Sequence, residues 1–190
     1  MAIKLIALDL DGTLLNSEKQ ITTRTKDIIA RAMARGVTVT IATGRMLRSA
    51  LYFARLIASD APVICCNGGY VGTAEGDPLF ARYFEPALTR EFLTFAYERS
   101  WYVNWYNGIE IYAPEYRADY FTAYRTTANF VVTEVGNDYL PYTENVPQLV
   151  LREMENGVAA YVREVRAQFG DRLVPQQNTG TSVDINPPGV

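Results

Sequence analysis

A chain of 190 residues, 48% hydrophobic and 21% charged, is long enough to bury a substantial core and too ordinary in glycine and proline to be fibrous or disordered. No basic stripe marks a nucleic-acid surface, and a net charge of −3 gives no general attraction for anions, so a phosphate site here needs local donors and a cation. The absence of histidine removes His general bases, Ser-His-Asp triads and His-containing zinc sites, leaving carboxylates, lysine, arginine, hydroxyls or a hard metal for any chemistry.

Residues 3–9 read as a short, mostly apolar strand of the kind buried on both faces of a parallel sheet. Asp9 and Asp11 interrupt the apolar run, so it lacks the pattern of a signal peptide. No segment reaches the ~20 apolar residues needed to span a bilayer, and a cytoplasmic protein with no membrane partner is the expectation. Thr22 or Thr23 can cap a helix to about Arg35, which Gly36 stops. Residues 37–42 form a β-branched strand that feeds Thr43-Gly44-Arg45 and a helix over 46–57. Residues 62–66 are a third strand, closed by Asn67-Gly68-Gly69. Its neighbouring Cys65 and Cys66 point to opposite faces and are expected as free thiols. Strand, helix, strand, helix, strand is the opening of an open α/β sheet, whose ligands bind beyond the carboxyl ends of the strands. All three polar signals, Asp9/Asp11, Thr43/Arg45 and Asn67, stand at those ends.

The pattern changes beyond about residue 84. Residues 88–99 read as helical. Residues 101–106 and 109–112 make an aromatic hairpin across Asn107-Gly108, a type I′ turn signal. A helix over 114–126, strands over 130–135 and 146–153, a helix over 157–169 and short strands over 172–175 and 181–185 follow. Hairpins mixed with helices describe an α+β domain with antiparallel sheet. The expected division is a first domain over 1–84, a second over 85–185, and a turn-like 186–190 that begins a return to the first.

Asp9 and Asp11 lie two apart, so an extended backbone points both carboxylates to one side, and Gly12 lets the chain turn just after them. Carboxylates that close repel each other, and a hard divalent cation would hold both ionised while it orients phosphoryl oxygens. A carboxylate so placed can attack phosphorus. Thr43-Gly44-Arg45 offers a hydroxyl, backbone amides and a bidentate guanidinium for phosphate or for an adjacent carboxylate. Asn67 either touches substrate or fixes its own loop. Trp101, Tyr102, Trp105, Tyr106, Tyr112 and Tyr116 are assigned to the second domain's core and one sheet face. Asp184 is read as a solvated strand residue or a hinge contact.

The run Asp9-Leu10-Asp11-Gly12-Thr13-Leu14 resembles the first signature of the haloacid-dehalogenase-like (HAD) phosphatase superfamily. Thr43-Gly44-Arg45, the Asn67-Gly68-Gly69 turn and the large insertion after the third strand resemble its Cof-type, class IIB branch, and the resemblance covers the whole chain. It implies a Rossmann-like parallel-sheet core carrying an inserted α+β cap that closes over a cleft and selects substrate. It also implies Mg²⁺ as cofactor, Asp9 as nucleophile and metal ligand, and Asp11 as acid/base and metal ligand through its backbone carbonyl. Thr43, Gly44, Arg45, Asn67 and Gly12 then form the phosphate and substrate grip. Members of that family continue into a Ser-Lys-Gly segment and a Gly-Asp-x-x-Asn-Asp segment, neither of which is found in these 190 residues. None of Lys4, Lys19 and Lys26 has the spacing to replace the first. The chain is therefore expected to lack the C-terminal part of the core, to leave a sheet edge uncovered and to be open to self-association through it. The expected function is a Mg²⁺-dependent phosphohydrolase of small phosphate monoesters, such as sugar phosphates, through an aspartyl-phosphate. The alternative is an impaired or inactive homologue that binds a phosphate ligand or a partner.

Overall fold

The computed structural model describes residues 3–124, 130–152, 157–179 and 181–190. They fall into two compact units, one within residues 3–81 and the other from Arg82 onward.

In the first unit, β1 (Leu5–Leu8) lies parallel to β2 (Thr38–Ile41), with Leu5 opposite Thr38 and Leu8 opposite Ile41. Between them runs α1 (Thr23–Met33). The Thr22 hydroxyl caps it by accepting from the Thr25 amide, one of the donors that a helix start leaves without a partner. Helix α2 (Leu47–Leu56) follows β2 and buries Leu47, Ala50, Leu51, Phe53 and Ala54. It leads to β3 (Val63–Cys65), which joins β2 through a parallel bridge between Ala42 and Ile64. The expected βαβαβ unit is thus present, in the spatial order β1, β2, β3. Cys65 and Cys66 are buried and not bridged to each other.

Two features depart from the sequence reading. Strands β4 (Tyr70–Gly72) and β5 (Pro78–Ala81) extend β3 as an antiparallel meander. Each is so short that alternation has little room to show. Strand β1, expected to be buried on both faces, alternates between exposed and half-buried positions, and Ile3 and Leu5 are 70% and 59% exposed. Among the described residues β1 has β2 as its only strand neighbour, so it is an edge strand.

The second unit is a six-stranded sheet with two helices on one face. The strands are β6 (Tyr102–Asn107), β7 (Glu110–Ala113), β8 (Val132–Glu134), β9 (Leu149–Arg152), β10 (Val174–Thr179) and β11 (Ser182–Asn186), in the order β10-β11-β9-β6-β7-β8. Every pair is antiparallel except β7 and β8, which run parallel. Helices α3 (Pro86–Tyr97) and α4 (Val158–Phe169) bury Phe92, Leu93, Val165 and Phe169 against Val103, Trp105, Leu149, Leu151, Val183 and Ile185. Pro86 opens α3 at the first turn, where its missing N–H costs nothing. Trp105 and Tyr112 belong to this core, and Trp101 packs on its margin. The alternate residues of the central strands, Tyr102, Asn104 and Tyr106 on β6 with Ser182, Asp184 and Asn186 on β11, line the opposite face and are also buried. Asp184 is therefore not solvated: its carboxylate accepts from the Asn178 amide at 3.0 Å and from the Gln148 amide at 3.4 Å.

The hairpin turn sits one residue later than expected. Asn107 pairs with Glu110, so Gly108 and Ile109 are the central residues. Of the two, Gly108 alone has positive φ, as in a II′ turn. The helix expected over 114–126 is absent from its described part, which consists of turns and a single 3₁₀ turn, Thr122–Tyr124; residues 125 and 126 lie outside the described residues. Side chains engage the backbone there instead. Tyr102 donates its hydroxyl to the Glu115 carbonyl at 2.6 Å, and the Tyr116 amide donates to the Glu134 carboxylate at 3.0 Å.

Both tryptophans lie in the second unit, so their fluorescence reports its unfolding alone. Phe92→Ala, which empties a fully buried position between α3 and α4, is expected to cost about 3–5 kcal/mol and to lower the urea midpoint of the tryptophan transition.

Candidate active site

Asp9 leaves the end of β1 in extended conformation. The chain then makes a wide turn closed by the Leu14 amide on the Asp9 carbonyl and the Leu15 amide on the Leu10 carbonyl. Leu10 and Leu14 are buried and anchor this turn from below, while Asp9 and Asp11 remain outside. Gly12 supplies the positive φ, 79°, that the reversal needs; a Cβ there would meet nothing within 4 Å, so the demand is conformational and not steric.

The two carboxylates have different surroundings. Asp9 is exposed, and its Oδ2 accepts from the Thr13 hydroxyl at 3.2 Å. Asp11 is gripped by Arg45, whose Nε donates to Oδ2 at 2.7 Å and whose Nη2 donates to Oδ1 at 2.8 Å. Lys19 adds its Nζ to Oδ1 at 2.8 Å. The Arg45 hydrogen bonds, helped by Lys19 and opposed by partial burial, hold the Asp11 carboxyl down to about 2 from an ordinary 3.8. The repulsion expected between the two aspartates is therefore met at Asp11 by the protein's own cations.

Arg45 is itself fixed. It is only 7% exposed, its Nη1 donates to the Ser49 hydroxyl at 3.3 Å, and its guanidinium lies 5.3 Å from the centre of the Phe53 ring. Its amide donates to the buried Thr43 hydroxyl at 3.2 Å, and its carbonyl accepts from the Cys66 amide at 2.9 Å. That last bond fastens the loop after β3 to the loop after β2. Asn67 lies against Gly44, where a Cβ would come within 2.5 Å of the Asn67 Oδ1. A larger residue at 44 would therefore have to displace the Asn67 side chain. The carboxyl ends of β1, β2 and β3 in this way bring together the neighbourhoods of Asp9, Asp11, Gly12, Thr43, Gly44, Arg45 and Asn67.

The sequence reading sets Lys19 aside as lacking the spacing of the family lysine; what brings it back to Asp11 is a tight loop. The Asn16 Oδ1 accepts from the Glu18 and Gln20 amides, the Asn16 amide donates to the Gln20 carbonyl, and the Lys19 amide donates to the Asn16 carbonyl. An asparagine bonding two amides ahead of it was the available signal for that loop.

Mg²⁺ is often held by one or two carboxylates, with water and phosphate oxygens completing its octahedron. Asp9, an exposed hard-oxygen donor with a single hydroxyl contact, fits such an ion. The Asp11 carboxylate is occupied by Arg45 and Lys19, so a backbone-carbonyl role for Asp11 is the compatible one. Among the described residues no three Asp, Glu, His or Cys side chains form a ready cage.

Residues 6–190 match the family model of haloacid dehalogenase-like hydrolases. Among curated proteins, a pyridoxal phosphate phosphatase of Escherichia coli K12 is 42% identical over 71 residues, 37% of this chain and 26% of that protein. The phosphatase YwpJ of Bacillus subtilis is 28% identical over 113 residues, 60% of this chain and 40% of that protein. The aligned stretches thus span about a quarter to two fifths of those relatives' lengths. A haloacid dehalogenase-like hydrolase structure from Bacteroides thetaiotaomicron superposes with a TM-score of 0.87 at 20% identity, over all of this chain and 73% of that one. A sugar phosphatase of HAD subclass IIB superposes with a TM-score of 0.75 at 17% identity, over 98% of this chain and 70% of that one. The α/β fold of the chain is that of these structures.

The depressed Asp11 carboxyl links stability to pH. Because its folded value lies below its ordinary 3.8, its contribution is complete above that pH and disappears as pH falls through 3.8 toward 2. Asp11 is half-exposed, so the contribution is on the order of 1 kcal/mol after solvent screening. Thermal unfolding followed by circular dichroism should show Asp11→Asn less stable than the parent by about that amount at pH 6, with the difference closing by about pH 2.

Proposed function

The chain belongs to the haloacid dehalogenase-like hydrolases, and from that premise we propose that it is a Mg²⁺-dependent phosphohydrolase of small phosphate monoesters, sugar phosphates among them, acting through an aspartyl-phosphate on Asp9. The observation that carries the reading is the asymmetry of the two aspartates. Asp9 stands exposed with a single hydroxyl contact, as an attacking oxygen must, while Asp11 beside it is held ionised by Arg45 and Lys19. Phosphatases of pyridoxal phosphate and of sugars among the similar proteins agree with the class of substrate.

In the first half-reaction an Asp9 carboxylate oxygen forms a bond to phosphorus as the bond from phosphorus to the ester oxygen breaks, and the departing oxygen takes up a proton. In the second, water attacks the same phosphorus, Asp9 is released, and inorganic phosphate leaves. Asp11 is the group placed to exchange a proton with the departing oxygen and with that water; because Arg45 and Lys19 hold both its oxygens and keep it ionised, either transfer requires that grip to loosen. The Thr43 hydroxyl and the Gly44 amide, at the turn between β2 and α2, supply hydrogen bonds to phosphoryl oxygens. Asp9 and the backbone of Asp11 would hold Mg²⁺, which when bound neutralises charge on the phosphoryl group. The second unit serves in this reading as the cap that selects substrate. A cytoplasmic location belongs to the same proposal; among the described residues no helix is long and apolar enough to cross a membrane.

A binding-only role has one observation in its favour, the lack of a third acidic side chain beside Asp9 and Asp11 among the described residues. Turnover separates the two. Asp9→Asn should lower hydrolysis of p-nitrophenyl phosphate with Mg²⁺ by on the order of 10³-fold or more, since no other group replaces the attacking oxygen. Hydrolysis by that variant at the parent's rate would defeat the assignment, and sugar-phosphate binding with no turnover by the parent would establish the second reading.

A further inference from the structure

We propose that Lys19 is a phosphate-binding residue of this site, supplying the positive charge that lets a phosphate dianion settle against Asp9. The inference rests on the phosphoryl-transfer reading above and deepens it by naming a residue that neither motif contains.

Arg45 makes the stronger claim on Asp11: its two parallel hydrogen bonds, at 2.7 and 2.8 Å, use both carboxylate oxygens and balance the charge. Lys19 is a second cation on the same Oδ1, so its departure leaves Asp11 paired. The two cations also differ in freedom. Arg45 is 7% exposed and tied to Ser49 and Phe53, whereas the Lys19 side chain is 46% exposed and extends from a surface loop on four rotatable bonds. Lys19 can exchange a carboxylate oxygen for a phosphate oxygen without disturbing the fold; Arg45 cannot.

The charges decide what such an exchange is worth. Asp9, Asp11, Arg45 and Lys19 sum to zero, in a chain whose net charge is −3. Removing Lys19 takes one unit of positive charge from beside the two aspartates, and so weakens the attraction for a phosphate dianion whether or not Mg²⁺ is bound. The loop is also built to present this side chain. Lys19 has φ 59°, a left-handed conformation that glycine or asparagine adopts at less strain, and Asn16 makes the hydrogen bonds that hold the turn. A lysine backbone held there and ending 2.8 Å from the Asp11 carboxylate indicates a side chain with a task beyond solubility.

Calorimetry with inorganic phosphate in the presence of MgCl₂ tests this without requiring turnover. Lys19→Met should weaken phosphate binding by about tenfold, from the loss of one nearby positive charge. Lys19→Gly, which relaxes the left-handed backbone as it removes the charge, should do the same and so separates the effect from misfolding. Lys19→Arg should stay within about threefold of the parent. Phosphate binding of parental strength by the Met or Gly variant, or no phosphate binding by the parent chain, overturns the proposal. The two readings fail separately. Lys19-dependent phosphate binding in a chain that hydrolyses nothing leaves Lys19 in place and removes the hydrolase. Hydrolysis by the parent, with phosphate affinity and KM unchanged in both Lys19 variants, does the reverse.

Discussion

The bidentate contact between Arg45 and Asp11 joins parts of the first unit that the backbone alone would leave independent. It ties the turn after β1 to the loop after β2, and the Arg45 carbonyl in turn receives the Cys66 amide, which adds the loop after β3. Parallel strands bond through their length, but their ends are loops with no ladder to align them. The buried guanidinium sets the loops beyond those ends, on top of the backbone hydrogen bonds from Ala42 to Leu8, Thr43 to Ile64 and Cys66 to Arg45. Burying that guanidinium is tolerable because it keeps a carboxylate, a serine hydroxyl and an aromatic face as partners. The same contact makes the two carboxylates unlike, since Asp11 is held by Arg45 while Asp9 stays exposed beside it.

What could be read from sequence followed from how local each signal was. The βαβαβ opening was legible because each strand is a compact apolar run, Thr22 caps α1 and Gly36 ends it. Asp9, Asp11, Thr43, Gly44, Arg45 and Asn67 were legible because each stands just past a strand, where an open sheet gathers its ligand groups. The contact of Lys19 with Asp11 was not, because it depends on a tight turn built by Asn16, and spacing along the chain does not reveal where such a turn aims a side chain. Strands β4 and β5 were too short for alternation to reveal them. The missing helix after Pro114 shows the other limit. Helix propensity there is outweighed by tyrosine and glutamate side chains that bond the backbone from distant strands. Burial of Asp184 was hidden for a similar reason: alternation assigned its face correctly but could not tell that Asn178 and Gln148 would meet it there.

The second unit illustrates how one sheet can carry two buried faces of different kind. Toward α3 and α4 it presents Val103, Trp105, Leu149, Leu151, Val183 and Ile185, an apolar layer that supplies the hydrophobic stabilisation. Its other face carries tyrosines, amides and Asp184, where each buried polar atom that lacks a partner, as the side-chain nitrogens of Asn104 and Asn186 do among the described residues, costs stability. An alternating strand pattern is compatible with either, because period two says which side chains share a face and nothing about what meets them.

The contact of Asn67 with Gly44 has a consequence for how such a sequence can vary. A side chain at 44 would oblige the Asn67 side chain to rotate away or its loop to withdraw. The two positions are thereby coupled: what is tolerated at one depends on what stands at the other. Change in the loops after β2 and β3 is eased when it comes in paired steps.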